Sequence, residues 1–310
     1  MALNYAETYS GELLEILMQG ALTSPFITSN VRWLDAKTFH FTQMSTSGYK
    51  NHKRNGGWNR GSYAQTDVPY TVTHDRDVEF LVDKAEVDET NKTASIQNIS
   101  SIFEKTQATP ETDALFFSKV AAAAKKVDGY HSETAATEYT VENTFSKLKK
   151  ILSAGKLRRY KANGTLIMYV TSAIMDNLEA SKEFTRKIEM TQIAEGGLGI
   201  ETRVTDIDGV PIMEVIDDER FYDEFNWEPE NGGFEPKTGA HKINVLVACG
   251  QTCKTVPKIS SIYFFDPGLH TEGDGYLYQN RSLSDTFVFP NGRDGKIDSV
   301  YVDVDTTAVV

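Results

Sequence analysis

Lys37-Thr38-Phe39-His40-Phe41-Thr42-Gln43 and, further on, Tyr70-Thr71-Val72-Thr73-His74-Asp75-Arg76-Asp77-Val78-Glu79-Phe80-Leu81-Val82 are the stretches that decide how this chain is read. The first puts Phe39 and Phe41 on one face and Thr38, His40 and Thr42 on the other, the period of a half-buried strand. The second keeps Tyr70, Val72, Val78, Phe80 and Val82 on even positions and Thr71, Thr73, Asp75, Asp77 and Glu79 on odd ones. At about 3.3 Å per residue this returning limb, taken as one strand, reaches roughly 40 Å. Between the limbs, Met44 to Thr66 holds Lys50, Lys53, Arg54 and Arg60, no Asp or Glu, and a Gly56-Gly57-Trp58 turn signal. A long two-stranded ribbon is marginal alone and has to be held by a neighbour.

The rest of the chain is ordinary enough to fold. Its 310 residues, 40% of them hydrophobic, suffice for one large domain or two smaller ones. A net charge of −12 and a pI near 5.0 argue against a dedicated nucleic-acid binder, which shows a basic domain or face. The charge is segregated. Residues 145–161 carry Lys147, Lys149, Lys150, Lys156, Arg158, Arg159 and Lys161 without an acid, read as a solvated helix face ahead of a contact with DNA phosphates. Asp217 to Glu230 carries seven acids against the single Arg220. Cys249 and Cys253 have neither C-x-x-C spacing nor a second ligand pair, and on a strand they stand about 13 Å apart, so they read as free core thiols. The start, Met1-Ala2-Leu3-Asn4-Tyr5-Ala6-Glu7, has no basic and apolar signal pattern, and no run approaches a membrane span.

Leu13, Leu14, Leu17, Met18 and Ala21 are spaced as a short amphipathic helix ending before Pro25. After the ribbon and a polar hinge at Asp88-Glu89-Thr90-Asn91, Ile96, Ile99, Ile102 and Phe103 make a helical stripe. Thr109 is expected as the N-cap of a second helix, with Pro110 in its first position and Ala114, Phe117, Val120, Ala121 and Ala124 on one face. The two read as a pair, or as one element kinked or broken at the proline. Val141, Phe145, Leu148, Ile151 and Leu152 give a further helix closed by Gly155. Thr165 to Val170 is a buried strand, Ser172 to Ala180 a helix and Ile243 to Ala248 a fully apolar strand. Ile188 to Val215 alternates in short strands with turns at Gly196-Gly197 and Asp208-Gly209. Ile259 to Phe265, Tyr276 to Phe289 and Lys296 to Val304 are strand-like.

Enzyme signatures are missing: there is no G-x-S-x-G, H-E-x-x-H or Walker loop, and Gly196-Gly197-Leu198-Gly199 does not match G-x-G-x-x-G. His40, His52, His74, His131, His241 and His270 are scattered. Asp206-Ile207-Asp208-Gly209 and Asn291-Gly292-Arg293-Asp294-Gly295 resemble calcium loops without the distal Glu, and read equally well as turns.

The order of N-terminal helix, charged two-stranded loop, long helix, mixed central region and returning strands resembles the major capsid protein of tailed bacteriophages, the Hong Kong ninety-seven type fold that encapsulins share. Three strings carry the likeness. Trp33-Leu34-Asp35-Ala36-Lys37-Thr38 resembles the lead-in to the extended loop. Pro110-Glu111-Thr112-Asp113-Ala114 with Phe117-Ser118-Lys119 resembles the start of the spine helix. Gly273-Asp274-Gly275-Tyr276-Leu277-Tyr278 with Arg281 and Asp285 resembles the last strand pair. The resemblance implies an α+β chain with an N-terminal arm (1–36), an extended loop (37–90), the spine helix of a peripheral domain (91–130), an axial domain (131–254) and returning strands of the peripheral domain (255–310). It implies no cofactor, no metal and no catalysis. The implied partners are many copies of the same chain as hexamers and pentamers, a separate scaffolding protein, a portal, a decoration protein and non-specific packaged DNA. Some members crosslink subunits through Lys and Asn; Lys50 and Asn51 lie in the corresponding loop, but the sequence identifies neither an assisting acid nor a target.

In a shell the segregated charges acquire a use. The basic tip, Lys50, Lys53, Arg54 and Arg60, and the acidic Asp217, Asp218, Glu219, Asp223 and Glu224 are expected to set register between copies. Burial of Tyr49, Trp58, Tyr63 and Phe80 is expected to supply affinity. The rivals are an encapsulin-like compartment, a carboxylate hydrolase and a calcium-dependent binding module.

Overall fold

The computed structural model describes residues 19–29, 31, 33–35, 37–52, 54, 56–84, 96–181, 189–191, 202–269, 273–291 and 296–309. The expected helix over 12–22 (apart from its last residues), the 88–91 hinge and the Gly196-Gly197 turn lie outside them. Strands β1 (Thr38–Thr46) and β2 (Tyr63–Thr71) form a two-stranded antiparallel ribbon in continuous register, Thr38 opposite Thr71 and Thr46 opposite Tyr63. β3 (His74–Asp83) then joins a different sheet.

The returning limb is therefore two strands rather than one. Its alternation runs unbroken through the gap because Val72 and Thr73 are two residues, and two residues preserve parity. Thr73 marks the break: its amide and hydroxyl both donate to Asp285, at 3.1 and 2.8 Å.

The long helix follows. α1 (Ile96–Phe103) runs through a π-turn at Glu104–Ala108 into α2 (Thr109–Lys125) without leaving helical geometry. This corrects the expected N-cap, since both Ala108 and Thr109 are helical in φ and ψ. Pro110 cannot donate to the carbonyl four residues back and its ring crowds it; the wider turn just ahead accommodates the defect, so the helix continues.

A seven-stranded sheet forms the centre, in the order β4 (His131–Glu133), β14 (Tyr301–Ala308), β11 (His241–Cys249), β5 (Leu166–Thr171), β8 (Val210–Val215), β7 (Thr202–Ile207) and β6 (Glu189–Thr191). Asp208-Gly209 makes the expected two-residue turn from β7 to β8, with Asp208 at φ 53° and Gly209 at φ 79°. β5 and β11 are buried on both faces, which is why they read as continuous apolar runs. Met168, Val170, Val245 and Val247 face a core shared with α3 (Thr144–Ile151), α4 (Leu157–Ala162) and α5 (Ser172–Glu179). Tyr169, Leu246 and Ala248 face a second core built on Phe116, Phe117, Val120 and Ala121 of α2. Cys249 and Cys253 are free and buried, one in each core. A small pair, β9 (Phe225–Asn226) and β10 (Glu235–Pro236), sits in the connection before β11.

β12 (Cys253–Phe265), β13 (Gly275–Val288) and β3 make a separate three-stranded sheet with β13 in the middle. Gly275 is obligatory there, because a Cβ would lie 2.4 Å from the carbonyl oxygen of Val82. β14 pairs with β11 and β4 in the seven-stranded sheet, apart from β12 and β13. The reason is its burial on both faces, with Val302 and Val304 in the spine-helix core and Asp303 accepting hydrogen bonds from Thr134, Tyr139 and Asn244 on the other side.

Candidate assembly surface

Among the described residues, the ribbon's buried contacts are all at its root. Phe39 is fully buried there, 5.7 Å from Tyr70, 5.6 Å from Trp33 and 5.2 Å from Phe287 between ring centroids. Tyr70 lies 5.1 Å from Phe289, and the Lys258 ammonium stands 3.9 Å over the Trp33 ring. Edge-to-face aromatic pairs of this kind each add about 0.5–1.5 kcal/mol beyond the area they bury. Behind the latch, the buried Asp285 carboxylate receives Thr73 on one side and Lys119 of α2, at 3.1 Å, on the other. The angle at which the ribbon leaves the body is thus tied to the spine helix.

Beyond the root no support comes from the described residues. Every residue from Thr42 to Asp67 for which burial is described is exposed. Tyr49 is 109% exposed, Trp58 97%, Tyr63 76% and Met44 68%, so the tip's apolar side chains lie on nothing among the described residues. Lys50, Arg54 and Arg60 are exposed beside them; Lys53 lies outside the described residues. The tip is closed by Asn59, which donates to the carbonyls of Lys50 and Asn51 at 3.4 and 2.9 Å.

The other candidate contacts are placed differently. Phe80 packs within its own subunit, 5.5 Å from Phe103 and 6.0 Å from Tyr278, because the even face of β3 turns towards α1. Most of the acidic run is also engaged at home. Asp217 bonds Arg220 at 2.7 Å, Asp218 bonds Lys242, Glu224 bonds Lys237 at 3.0 Å, and the buried Asp223 bonds Lys125 and the His241 amide. Glu219 alone of the five stays exposed without a partner among the described residues. Arg220 is 1% exposed; its guanidinium bridges Asp217 to Asp113 of α2 and takes the carbonyls of Gln19 and Gly20. Asp217 and Asp223 are tied into the body, while the Asp218–Lys242 and Glu224–Lys237 pairs lie at its surface. The basic 145–161 run is half neutralised: Lys149 and Lys161 meet Asp208, Lys147 meets Glu138 and Arg159 meets Asp298, leaving Lys150, Lys156 and Arg158 exposed.

Sequence reading missed the free edge of β3. Arg76 holds the start of that strand by donating to Glu111 at 2.8 Å and to the carbonyls of Trp227 and Gly233, while His74 meets Glu111 at 2.9 Å. Past Arg76 the strand has β13 on one side and, among the described residues, no strand on the other. Asp75 is bound by Arg281 and Lys37, which hold its carboxyl below the usual range. The alternating acids Asp75, Asp77 and Glu79 were visible in the sequence, but which edge stayed open was not.

Among the described residues no helix is long and apolar enough to cross a membrane, and no three His, Cys, Asp or Glu gather into a metal-binding group. No protein-family model and no curated protein matches the chain. Solved structures do. The mature capsid of bacteriophage PhiM1 superposes with a TM-score of 0.63 at 12% identity over 97% of this chain and 92% of that one. The capsid of Cyanophage P-SCSP1u gives 0.63 at 11% identity over 98% and 94%. A structure from Mycobacterium phage Adephagia gives 0.57 at 13% identity over 98% and 96%. Likeness across nearly the full length at such identity is likeness of architecture, and the chain has the Hong Kong ninety-seven type capsid fold.

Proposed function

We propose that this chain is the major capsid protein of a tailed bacteriophage, a structural protein whose copies close into an icosahedral shell around double-stranded DNA. The observation that carries the reading is the ribbon: from Thr42 to Asp67 it offers exposed aromatic and basic side chains on a hairpin that the described residues of its own chain leave unsupported. An isolated two-stranded hairpin is marginal in water, so one that reaches this far is built for another surface. Copies of the same chain provide that surface, arranged as hexamers and pentamers, and many modest contacts then sum to a stable cage. In this reading 1–36 is an arm, 37–90 the extended loop, the long helix with β12 and β13 a peripheral domain, and 131–254 with β14 an axial domain. A scaffolding protein, a portal and a decoration protein are the expected partners, assembly takes place in the bacterial cytoplasm, and Lys150, Lys156 and Arg158 are the cations left for packaged DNA.

Electron microscopy of the purified protein tests this. Closed particles are the expected result, and replacing residues 48–61 with an Asn-Gly turn should abolish them while leaving the melting temperature within about 2 °C, since the tip contributes almost nothing to the body. A protein that stays monomeric at every concentration and with either sequence refutes the proposal.

A further inference from the structure

Arg76 joins three parts of the molecule that are built separately. The connection between β9 and β10, residues 227–234, belongs to the stretch that links β8 to β11 of the central sheet, yet it comes down on β3, where Arg76 catches both its ends. The guanidinium donates through Nη1 to the Trp227 carbonyl, through Nη2 to the Gly233 carbonyl at 2.7 Å and through Nε to Glu111 at 2.8 Å. Glu111 lies in the first turn of α2, just past the π-turn. His74 meets the same Glu111 oxygen at 2.9 Å, and its ring stands edge-on to Trp227 at 4.8 Å between centroids. The 227–234 stretch is closed on itself. Phe225, Trp227 and Phe234 pack together at 5.3 to 6.3 Å between centroids, the Glu228 amide donates to Asn226 at 3.2 Å and the Gly232 amide to the Pro229 carbonyl at 3.0 Å. Its middle, Glu228, Glu230, Asn231 and Gly232, faces solvent. Gly232 and Gly233 stand at φ 75° and 79°, a consecutive pair in the left-handed region that serves as a pivot.

We propose that residues 227–234 form a hinged strap, that Arg76 is its lock, and that the lock couples the ribbon to the central sheet of the same chain. β3 is the direct continuation of the ribbon. Thr73, just before it, is held by Asp285, which Lys119 of α2 holds in turn, and Arg76 is held by Glu111 about two turns earlier on the same helix. The entry of β3 is thus fixed to α2 at two points, and the strap closes over the second. A displacement of the ribbon root reaches Arg76 within three residues and changes the plane of its fork. The two carbonyls of the strap then lose their donors together, because a guanidinium presents its N–H groups at fixed angles. By reciprocity, an open strap loosens the ribbon by the factor by which a loose ribbon opens the strap. The device belongs to a single chain and stands whether or not shells form.

Hydrogen exchange on unassembled subunits tests it through Arg76→Gln. The Glu228 and Gly232 amides should exchange at least about tenfold faster, since opening no longer breaks two charge-assisted hydrogen bonds. Ribbon amides in Thr38–Thr46 and Tyr63–Thr71 should accelerate at least about fivefold, while those of β5 and β11 keep their protection. Arg76→Lys should match Arg76→Gln, because one ammonium cannot serve two carbonyls and a carboxylate at once. Strap amides that keep the unaltered rate, or a full rescue by Lys, overturn the lock. Faster strap amides beside an unchanged ribbon overturn the coupling, and the proposal with it. If β5 and β11 accelerate in step with the strap, the substitution has loosened the whole fold, and Gly233→Ala decides. It leaves Arg76 in place and disturbs the strap from its other side, where φ is 79° and a Cβ would lie 3.2 Å from the Gln107 side-chain oxygen. The same paired acceleration of strap and ribbon is expected there, and a ribbon that keeps its unaltered rate overturns the proposal.

Discussion

Replacing Phe39 with Ala tests whether the ribbon is latched where the geometry says it is. Phe39 is fully buried between Trp33, Tyr70, Phe287 and Phe289, and its cluster is separate from the two cores that enclose the seven-stranded sheet. Truncating a buried Phe to Ala costs about 3–5 kcal/mol in transfer and cavity terms. Because no residue between Thr42 and Asp67 whose burial is described is buried, the described residues offer the ribbon no second attachment to absorb that loss. The opening equilibrium at the root should therefore move by roughly two to three and a half orders of magnitude. Hydrogen exchange on unassembled subunits reads this directly. Amides of Thr38–Thr46 and Tyr63–Thr71 should exchange at least about a hundredfold faster in the variant, while those of β5 and β11 keep their wild-type protection. The reasoning is refuted if ribbon exchange is unchanged, since the latch would then not be the ribbon's source of order. It fails equally if β5 and β11 accelerate in step with the ribbon, since the root would then belong to the global folding unit.

Two further outcomes concern the body. Arg220→Met should lower stability by about 3–5 kcal/mol in urea unfolding, because it strands the fully buried Asp113 carboxylate; Arg220→Lys should recover little, since a single ammonium cannot bridge Asp113 and Asp217 while also holding two carbonyls. A loss below about 1 kcal/mol contradicts this. Alkaline pH should destabilise the fold: burial, first of all, raises the Tyr139, Tyr160 and Tyr169 hydroxyls above their usual 10.0 and pushes the Cys253 thiol from 9.0 up to about 12. A raised acid is protonated in the fold when the unfolded chain has already released its proton. Stability is then full below pH 9 and falls between about 9 and 12, by up to about 1.4 kcal/mol per pH unit for each group in its window. Tyr169→Phe should make the fall shallower, and a melting temperature flat from pH 8 to 11 contradicts the account.

What could be read from the sequence, and what could not, divides along the range of the interactions. Strand period, the buried β5 and β11, the Asp208-Gly209 hairpin and the apolar stripe of α2 are encoded by neighbours a few residues apart, and they stand where periodicity puts them. The break at Val72-Thr73 depends on Asp285, a partner 212 residues away, so alternation alone could not reveal it. The π-turn before Pro110 has the same local signature as a helix start, and only the α1 packing behind it distinguishes the two. The acidic 217–224 run looked like free surface because counting charges along a segment ignores what faces it. Arg220, Lys125, Lys237 and Lys242 neutralise most of it from three to about a hundred residues away. Phe80 likewise shared the apolar parity of a contact residue but turned inward onto Phe103.

That redistribution of charge sharpens where specificity between copies can reside. If the 217–224 acids were open, the basic tip would find a broad negative surface and many nearly equivalent poses, an arrangement suited to capture but poor at fixing register. Internal pairing consumes most of that surface and leaves a chain of net charge −12 whose basic tip is presented on a ribbon with a fixed take-off angle. In the proposed shell, long-range attraction draws tip to body, while like-charged bodies hold off one another over about 10 Å at moderate salt. A ribbon ordered at its root by Phe39 and Asp285 also gives up less freedom on docking than an unlatched one, so contacts weak enough to be corrected during assembly can still close a shell when each copy makes and receives one.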